Sequence, residues 1–600
     1  MPSAREPGDG SQSNRLLTPV PFDVPGRRAG FQPSLRLRPG PFAQSWQRRI
    51  AEVNAAAAAL WRRDPSVWSG DQAVQQTIAN RLGWLSSPSL MADAIDRLQA
   101  LRSGVKRDGF TDVVLLGMGG SSLAPEVLHA IVGVNPGWPE LHIVDSTDPA
   151  AIQAASTPPA TTLYLLASKS GTTIEPNSLA AFFRARLEAA GLPWARHFIA
   201  ITDAGTELEE RARSDGFRDV FINPSDIGGR YSAISYFGLV PAALMGQDLP
   251  EIIGDSLGML AAAESPIDAA SPNPATSLGL AIGAAAAEGR DKLTLIVPWM
   301  LEPFGLWVEQ LVAESTGKQG TGVIPIAGEP PAPADRYSGD RLFVRLRYVR
   351  PINDGDFDER DDTALVEQLD ARGAPVVEID WLQPTSLGAE FVRWEIATAI
   401  AGAMLKINPF DEPNVQQAKD ATAKLLSHYR VEQRLPSACA DFALPGGIAL
   451  AASAAARQHF GDAGPDSILT LIGEHDYFAL LAYVGPDDEI ANELQALRAA
   501  VRDRTRAATM FGYGPRYLHS TGQLHKGGPN TGVFVIVTAD PVEDLAIPGE
   551  AFTFGTLEMA QALGDFNSLD AAGRRAVHVH LPRPDARLIR QVAEAMLAHL

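Results

Sequence analysis

Six residues with hydroxyl, basic or small side chains follow the strand-like apolar run at 163–167. They are Ser168, Lys169, Ser170, Gly171, Thr172 and Thr173. The next stretch, TTIEPNSLAAFFRARLEAA, has a helical pattern, so the turn lies at a helix N-terminus, where free N–H groups and the helix dipole favour an anion. The pattern predicts a phosphate-binding turn that is not of the Walker type. The alternative is a hydroxyl-rich helix cap without a ligand.

A second glycine-rich turn, GMGGSSLAP, follows another strand-like run and offers a second anion site. Its small residues are Gly117, Gly119, Gly120, Ser121 and Ser122. A dinucleotide-binding turn is the alternative, with Asp145 as the ribose ligand. However, the sixth position is Ser122 rather than Gly or Ala, and Asp145 follows Gly117 at a longer spacing than that motif has. Two anion-binding turns on one sheet fit a sugar phosphate at least as well.

Arg230 and Glu314 are candidates for proton-transfer chemistry. Arg230 follows two glycines in NPSDIGGRYSAIS, where its planar guanidinium can face a developing oxyanion. Glu314 lies in the last turn of a helix predicted from about Phe304 to a stop at Gly317, and Gln310 shares its face. The helix C-terminus raises the pKa of a carboxyl there, which suits a general base. The alternatives are a surface ion pair and a solvated glutamate.

The stretch GYGPRYLHSTGQLHKGGPNTG holds His519, His525 and Lys526 among glycines. The two histidines are six residues apart, and no nearby His or Cys completes a set of metal ligands. We therefore expect no metal. His578 and His580 alternate along a predicted strand, and we interpret them as structural.

Composition and charge limit the classes of function. The net charge of −20 disfavours nucleic acid and anionic membranes as partners. A single cysteine, Cys439, excludes an internal disulfide and fits a reducing compartment. We see no apolar stretch of membrane-spanning length and no secretory signal, so a cytoplasmic location is expected.

Alternating strand and helix patterns position these residues in an α/β fold with mainly parallel sheets. We expect a flexible tail at 1–40, a helical segment at 41–108, a first α/β domain at 109–265 and a second at 275–450. The boundary near 265–275 is rich in Pro and Ser. Residues 451–600 are predicted to be a mixed α/β segment that completes the site, with strands in DSILTLIGEHD, GVFVIVTAD and AVHVHLP.

Taken together, six ordered motifs resemble the glucose-6-phosphate isomerase family. They are GMGGSSLAP, SKSGTTIEP, GGRYSAIS, EQLVAESTGK, KINPFDEPNV and LHSTGQLHKGG. The last motif is most similar to isomerases that are fused to transaldolase. The resemblance implies two sugar-isomerase-type (SIS) α/β/α sandwich domains with helical extensions at both ends. It also implies a homodimer, with a sugar phosphate as ligand and no cofactor.

The resemblance also implies a role for each matching residue. Glu314 would move a proton between C2 and C1 through a cis-enediol, Arg230 would stabilise the enediolate, and Gln310 would orient the substrate. Lys526 would contact the substrate hydroxyls during ring opening. The phosphate group would be held by the two turns, through Ser121, Ser168, Lys169, Ser170 and Thr173 with Gly119 and Gly120.

One family position differs in this sequence. Relatives carry a ring-opening histidine in a G-Q-H-x-F motif, and the matching stretch SLGAEFVRW has Glu390 there. His519, where relatives often have glutamine, is a second candidate for the same role. The competing hypotheses are a non-catalytic sugar-phosphate sensor of the SIS fold, and an NAD-dependent dehydrogenase that rests on the Gly117 turn and Asp145.

Overall fold

The chain folds into three α/β units, each built on its own sheet. The computed structural model describes residues 33–268, 273–349, 362–436, 441–460 and 463–600, so Cys439 lies outside the described residues. The strands are β1 (Arg36–Arg38), β2 (Asp112–Leu116), β3 (Glu140–Val144), β4 (Thr162–Ala167), β5 (Phe198–Asp203), β6 (Asp219–Asn223), β7 (Lys292–Ile296), β8 (Ile324–Ile326), β9 (Arg341–Tyr348), β10 (Val376–Trp381), β11 (Phe442–Leu444), β12 (Ile448–Ala452), β13 (Tyr477–Tyr483), β14 (Ala508–Tyr513), β15 (Gly532–Ala539) and β16 (Arg575–Leu581).

Helices connect and cover these strands. They are α1 (Ala43–Trp61), α2 (Gln72–Ala79), α3 (Ser87–Asp93), α4 (Ile95–Arg107), α5 (Leu123–Val132), α6 (Pro149–Ala154), α7 (Ile174–Ala189), α8 (Glu207–Ser214), α9 (Tyr236–Leu244), α10 (Leu249–Ala263), α11 (Thr276–Ala287), α12 (Glu302–Thr316), α13 (Thr363–Ala371), α14 (Leu387–Met404), α15 (Val415–Glu432), α16 (Ala454–Phe460), α17 (Asp488–Thr505), α18 (Gly522–Gly527), α19 (Phe554–Ala571) and α20 (Ala586–Leu597). None of them combines the length and apolar character that a membrane span requires, among the residues that the structure describes.

The first sheet has the strand order β3-β2-β4-β5-β6, and all its pairs are parallel. All six residues of β4 are buried, as expected for a strand covered by helices on both faces. This sheet confirms the predicted α/β fold with mainly parallel sheets. It also places the 168–173 turn directly after β4, at the carboxyl edge where open α/β sheets bind ligands.

The second sheet has the order β1-β10-β9-β7-β8, and it is parallel except for β1. Residues 1–40 were expected to form a flexible tail. Strand β1 lies within this segment, and it pairs antiparallel with β10. Leu35 and Leu37 are buried there. Three residues are too few for a periodicity to be read from sequence. The rest of the expected tail, residues 1–32, lies outside the described residues.

The third sheet has the order β11-β12-β16-β15-β13-β14, and its first two pairs are antiparallel. Its strands begin at Phe442, before the expected boundary at 451. The prediction of a strand in DSILTLIGEHD is wrong, because Pro465–Leu471 forms a 3-10 helix. This helix starts with a proline, and the Ser467 hydroxyl donates a hydrogen bond to Gly464 O at its N-terminus. The strand lies further along, as β13.

The hydrophobic cores join the three units. One cluster contains residues of both the first and the second sheet, such as Leu165 and Leu293. Another cluster contains Phe554 of α19 and residues of the first sheet, and a third contains Ile326 of β8 and Tyr477 of β13. The third unit therefore packs against both others, and its loops reach the site described next.

Candidate active site

The 168–173 turn is held in a fixed shape by its own hydroxyls. Ser168 Oγ accepts a hydrogen bond from the Gly171 N–H and donates to Thr173 Oγ1, both at 3.2 Å. Asn177 Nδ2 donates to the carbonyls of Gly171 and Thr173. Thr173 occupies the N-cap of α7, but its side chain makes no capping hydrogen bond. The hydroxyl-rich sequence is therefore not explained by capping of α7.

The ammonium group of Lys169 already has partners within the protein. Its ammonium pairs with Asp203 at the end of β5 and donates to Ser225 O at 3.1 Å. Burial raises the pKa of Asp203, and Lys169 opposes that rise. Ser170 is exposed at the rim of the turn, where its hydroxyl lies 3.1 Å from the Thr172 hydroxyl. The phosphate contacts expected of Lys169 and Ser170 remain predictions.

The second glycine-rich turn packs against the other loops of the site. Gly119 has φ +54°, and a Cβ at this position would lie 2.6 Å from His519 O and 2.9 Å from Gln310 Nε2. A Cβ on Gly120 would lie 2.0 Å from Gly229 O, next to Arg230. Gly119 therefore permits contacts with the other two units, and Gly120 permits close packing of two loops within the first unit.

The dinucleotide alternative depends on Asp145, and that carboxylate has other partners. It accepts a hydrogen bond from Ser122 Oγ at 2.9 Å and lies 3.5 Å from Arg516 Nε. Arg516 also pairs with Glu126 on α5. These contacts tie the second turn to the third unit, and they occupy one oxygen of Asp145 within the protein. Ser121, which precedes Ser122 in the turn, is half-buried.

Arg230 and Glu314 form a close ion pair, with Arg230 Nη1 3.2 Å from Glu314 Oε1. The guanidinium is almost fully buried and is fixed on its other edges, because Nε donates to Ser315 Oγ and Nη2 donates to the carbonyls of Pro409 and Asp411. Glu314 keeps 12% of its side chain exposed. The pair is therefore rigid, and its carboxylate remains open to a small ligand.

Glu314 has a raised pKa, for a reason different from the one expected. Burial is the largest cause, and the charge of Glu412 adds to it, while Arg230 and Lys318 oppose it. The sequence argument relied on the helix C-terminus. Helix α12 does end at Thr316, directly before Gly317, but Gly317 has φ −76° and is not a left-handed cap. A Cβ there would lie 2.4 Å from Leu524 Cα, so close packing is what requires glycine.

Gln310 links Glu314 to the third unit. Its Nε2 lies 3.4 Å from Glu314 Oε2 and donates to His519 O at 2.7 Å. The two side chains share a face of α12, as their spacing predicts. Gln310 thereby fixes the position of the short helix Arg516–His519 relative to Glu314.

His519 is paired with a buried carboxylate that the sequence reasoning left out of the site. His519 Nε2 lies 2.9 Å from Glu175 Oε1, and Gln561 Nε2 donates to the same oxygen at 2.6 Å. Thr147 Oγ1 in turn donates to Gln561 Oε1 at 2.8 Å. Burial raises the pKa of Glu175, but the charge and hydrogen bond of His519, with help from Lys419, lower it overall. Glu175 therefore orients His519 as an ionised partner.

Lys526 is brought near this region, but its ammonium is enclosed. Nζ lies 2.5 Å from Asp565 Oδ1, both side chains are almost fully buried, and Tyr517 donates to the other oxygen of Asp565. The neighbouring His525 is buried, and burial holds its pKa well below the usual value. Lys419 on α15 is an exposed lysine whose charge reaches Glu175, and sequence reasoning missed it because nothing in its local pattern marks it.

Glu390 belongs to a separate polar cluster. It pairs with Arg393 on its own helix at 2.9 Å, and Arg393 donates to the carbonyls of Ser34 and Pro274. Burial raises the pKa of Glu390, and Arg393 opposes that rise. None of these partners is a candidate residue of the site, so the structure brings together Arg230, Gln310, Glu314 and His519 without Glu390.

Comparison with known proteins identifies the family. A family model described as phosphoglucose isomerase matches residues 90–321, which include both turns, Arg230 and Glu314. The glucose-6-phosphate isomerase of Prochlorococcus marinus (strain MIT 9313) is 30% identical over 410 residues, covering 62% of this chain and 73% of that protein. The chain belongs to the phosphoglucose isomerase family.

Another relative and two solved structures are also similar to this chain. The glucose-6-phosphate isomerase of Thermosynechococcus vestitus is 29% identical over 467 residues, covering 68% of this chain and 84% of that protein. A hypothetical protein from Thermus thermophilus has a TM-score of 0.53 at 25% identity, covering 65% of this chain and 99% of that one. A glucose-6-phosphate isomerase from Chlamydia trachomatis, at 19% identity and a TM-score of 0.51 over 65% of this chain and 86% of that one, shares the fold.

Proposed function

We propose that this protein interconverts glucose 6-phosphate and fructose 6-phosphate by transferring a proton between C2 and C1. The observation that carries the proposal is the buried ion pair of Glu314 and Arg230. Its carboxyl has a raised pKa and is open to a small ligand. A base of raised pKa beside a fixed cation suits abstraction of a proton next to a carbonyl, since the cation stabilises the resulting oxyanion.

The isomerisation needs one base. In the open-chain aldose, Glu314 takes the proton from C2, which leaves a cis-enediolate with its negative charge on the C1 oxygen, and this oxygen then receives the proton of the C2 hydroxyl. Arg230 stabilises negative charge on the enediolate oxygen. Glu314 then returns its proton to C1, and the C2 oxygen, which has lost its hydroxyl proton, becomes the ketose carbonyl. No electron leaves the substrate, so the sequence of steps balances without an oxidant.

Ring opening precedes this step and needs a proton at the ring oxygen. His519 is the better of the two candidates, because Glu175, itself fixed by Gln561, holds its ring and it lies beside the loop of Gly119. Glu390 is instead paired with Arg393 in a different cluster. For the sugar hydroxyls, the exposed Lys419 is a candidate in addition to Lys526, whose ammonium is occupied by Asp565.

The phosphate group is assigned to the first unit. Ser168, Ser170 and Thr173, with Ser121 from the second turn, offer hydroxyls at the carboxyl edge of the sheet and at the start of α7. Binding energy at the phosphate positions the reacting carbons at Glu314. The domain limits, a homodimer and a cytoplasmic location remain predictions from the sequence and the family resemblance.

A coupled assay tests the proposal. Purified protein is supplied with fructose 6-phosphate in the presence of EDTA, and glucose 6-phosphate is detected with an added dehydrogenase. We expect metal-independent turnover. A parallel reaction with NAD and no coupling enzyme is followed at 340 nm. Absorbance change there without isomerisation would support the dehydrogenase hypothesis, and sugar-phosphate binding without any turnover would support the sensor hypothesis.

A further inference from the structure

A second carboxylate shares the guanidinium that pairs with Glu314. Glu412 lies in the loop before α15, and its Oε2 is 3.0 Å from Arg230 Nη1, the same nitrogen that lies 3.2 Å from Glu314 Oε1. The Glu412 side chain is 45% exposed, whereas Arg230 is almost fully buried. Because the other nitrogens of Arg230 are held by Ser315, Pro409 and Asp411, the guanidinium is not free to turn toward one carboxylate alone.

We infer that Glu412 is a positioning residue for Glu314. Glu412 binds the same guanidinium nitrogen of Arg230 as Glu314 does, and it places a second negative charge next to the Glu314 carboxylate. This inference rests on the proposed function, in which Glu314 must accept a proton. An arginine bound to Glu314 alone would stabilise the ionised carboxylate and make it a weaker base. Glu412 offsets that effect while leaving Arg230 in place for the enediolate.

The charged groups around the pair come from several elements. The loop of Glu412 also supplies Asp411, which pairs with Lys318 at 2.7 Å, and Lys318 follows α12. Burial lowers the pKa of Lys318 to about 8, and Arg230 contributes to that lowering. His519 acts on Glu314 from the third unit, and Arg81, in the turn after α2, acts on Glu412. Glu412 therefore places a negative charge beside Glu314 that opposes the effect of Arg230 and Lys318 on its pKa.

The pKa of Glu412 itself is lowered. Burial opposes this, but the charge and hydrogen bond of Arg230, together with Lys318 and Arg81, outweigh it. Glu412 is therefore ionised wherever the proposed enzyme works. Replacing it by glutamine keeps a hydrogen-bond acceptor for Arg230 and removes only the charge. Since the side chain is half-exposed, the change leaves no uncompensated group in the core.

The test compares the pH dependence of kcat/KM in the wild type, Glu412→Gln, Glu412→Asp and Glu432→Gln. Glu432 is an exposed glutamate at the end of α15 and controls for loss of one surface charge. In Glu412→Gln we expect the acid limb to move to lower pH, so that the ratio of kcat/KM at pH 5.5 to that at pH 8 rises roughly threefold or more. Glu412→Asp restores the wild-type profile, and Glu432→Gln follows it.

A second readout does not depend on turnover. Infrared difference spectroscopy follows the protonated carboxyl band of Glu314, assigned by its loss in Glu314→Gln, during a pH titration. We expect the band to disappear at lower pH in Glu412→Gln than in the wild type. Unshifted titration of this band, with a kcat/KM profile parallel to the wild type, would overturn the inference and leave Glu412 as an anchor of its loop. Failure of the proposed function would instead appear as absent turnover in the wild type.

Discussion

His519 is the residue through which the third unit enters the proposed chemistry. It lies between Glu175, which binds its Nε2, and Gln310, which binds its backbone carbonyl. An imidazole held by a carboxylate has a fixed ring orientation, which suits the transfer of a proton to or from a bound sugar. A carboxylate and an imidazole from different units are therefore placed together at the site.

The role of His519 predicts a selective defect. In His519→Gln, we expect turnover of cyclic glucose 6-phosphate to fall more than that of an open-chain analogue, which needs no ring opening. Glu175→Gln should show a weaker form of the same selectivity, because it removes the charge that orients the ring. The measurement is the ratio of the two rates, with His459→Gln on α16 as an exposed control. Equal losses on both substrates would assign ring opening to another group.

At the scale of elements, β4, the turn after it and α7 follow one another as the sequence predicted, whereas phosphate binding by the turn stays a prediction. A strand, a run of hydroxyl residues and a helix follow one another locally, so the phosphate-binding hypothesis needed no long-range information. The prediction that Glu314 and Gln310 share a helix face also needed only local information, since it follows from their spacing of four residues on one helix. Element types in the first two units were predicted well for the same reason.

Other features depended on contacts far apart in the chain. Glu175 and Gln561 are separated by 386 positions, and nothing in TTIEP indicates that its glutamate faces a histidine of the third unit. The 3-10 helix at Pro465–Leu471 and strand β13 are both short apolar runs, which periodicity alone does not separate. Enclosure of Lys526 by Asp565 is likewise invisible in the sequence.

The turn itself gives a test at this scale. We expect Ser168→Ala combined with Thr173→Ala to weaken binding of a sugar-acid phosphate inhibitor at least about tenfold, because each lost hydrogen bond to a charged group contributes roughly 1.5–3 kcal/mol. Calorimetry with the inhibitor measures this directly. Ser103→Ala, at an exposed hydroxyl on α4, is the matched control. Unchanged affinity in the double variant would mean that the turn is not the phosphate site.

At the scale of the whole molecule, α12 connects Glu314 to the packing between units. Glu309 lies on this helix, is 5% exposed and has an oxygen without a hydrogen-bond partner. Burial raises its pKa from 4.5 to about 8, against the opposing charges of Arg498 and Arg516 from the third unit. The packing of the third unit on the second therefore contains a carboxyl that stays protonated at neutral pH.

This carboxyl predicts a pH-dependent stability. Between pH 4.5 and about 8 the folded protein holds a proton that the unfolded chain releases. Its contribution is fully present below pH 4.5 and is lost as the pH rises through about 8, at up to about 1.4 kcal/mol of unfolding free energy per pH unit. Denaturant titrations from pH 5 to 9 should show a flatter dependence in Glu309→Gln than in the wild type, while Glu474→Gln, at an exposed site, should match the wild type. Parallel curves for the wild type and Glu309→Gln would contradict the prediction.

The central claim is that Glu314 is the base, and Glu314→Gln tests it most directly. Glutamine keeps the shape and a hydrogen-bond acceptor for Arg230, but it cannot take the C2 proton. We expect kcat for fructose 6-phosphate to fall more than about a hundredfold, since a general base contributes on the order of 10²–10⁴, while the affinity for a sugar-acid phosphate changes little. Turnover close to that of the wild type would contradict the account.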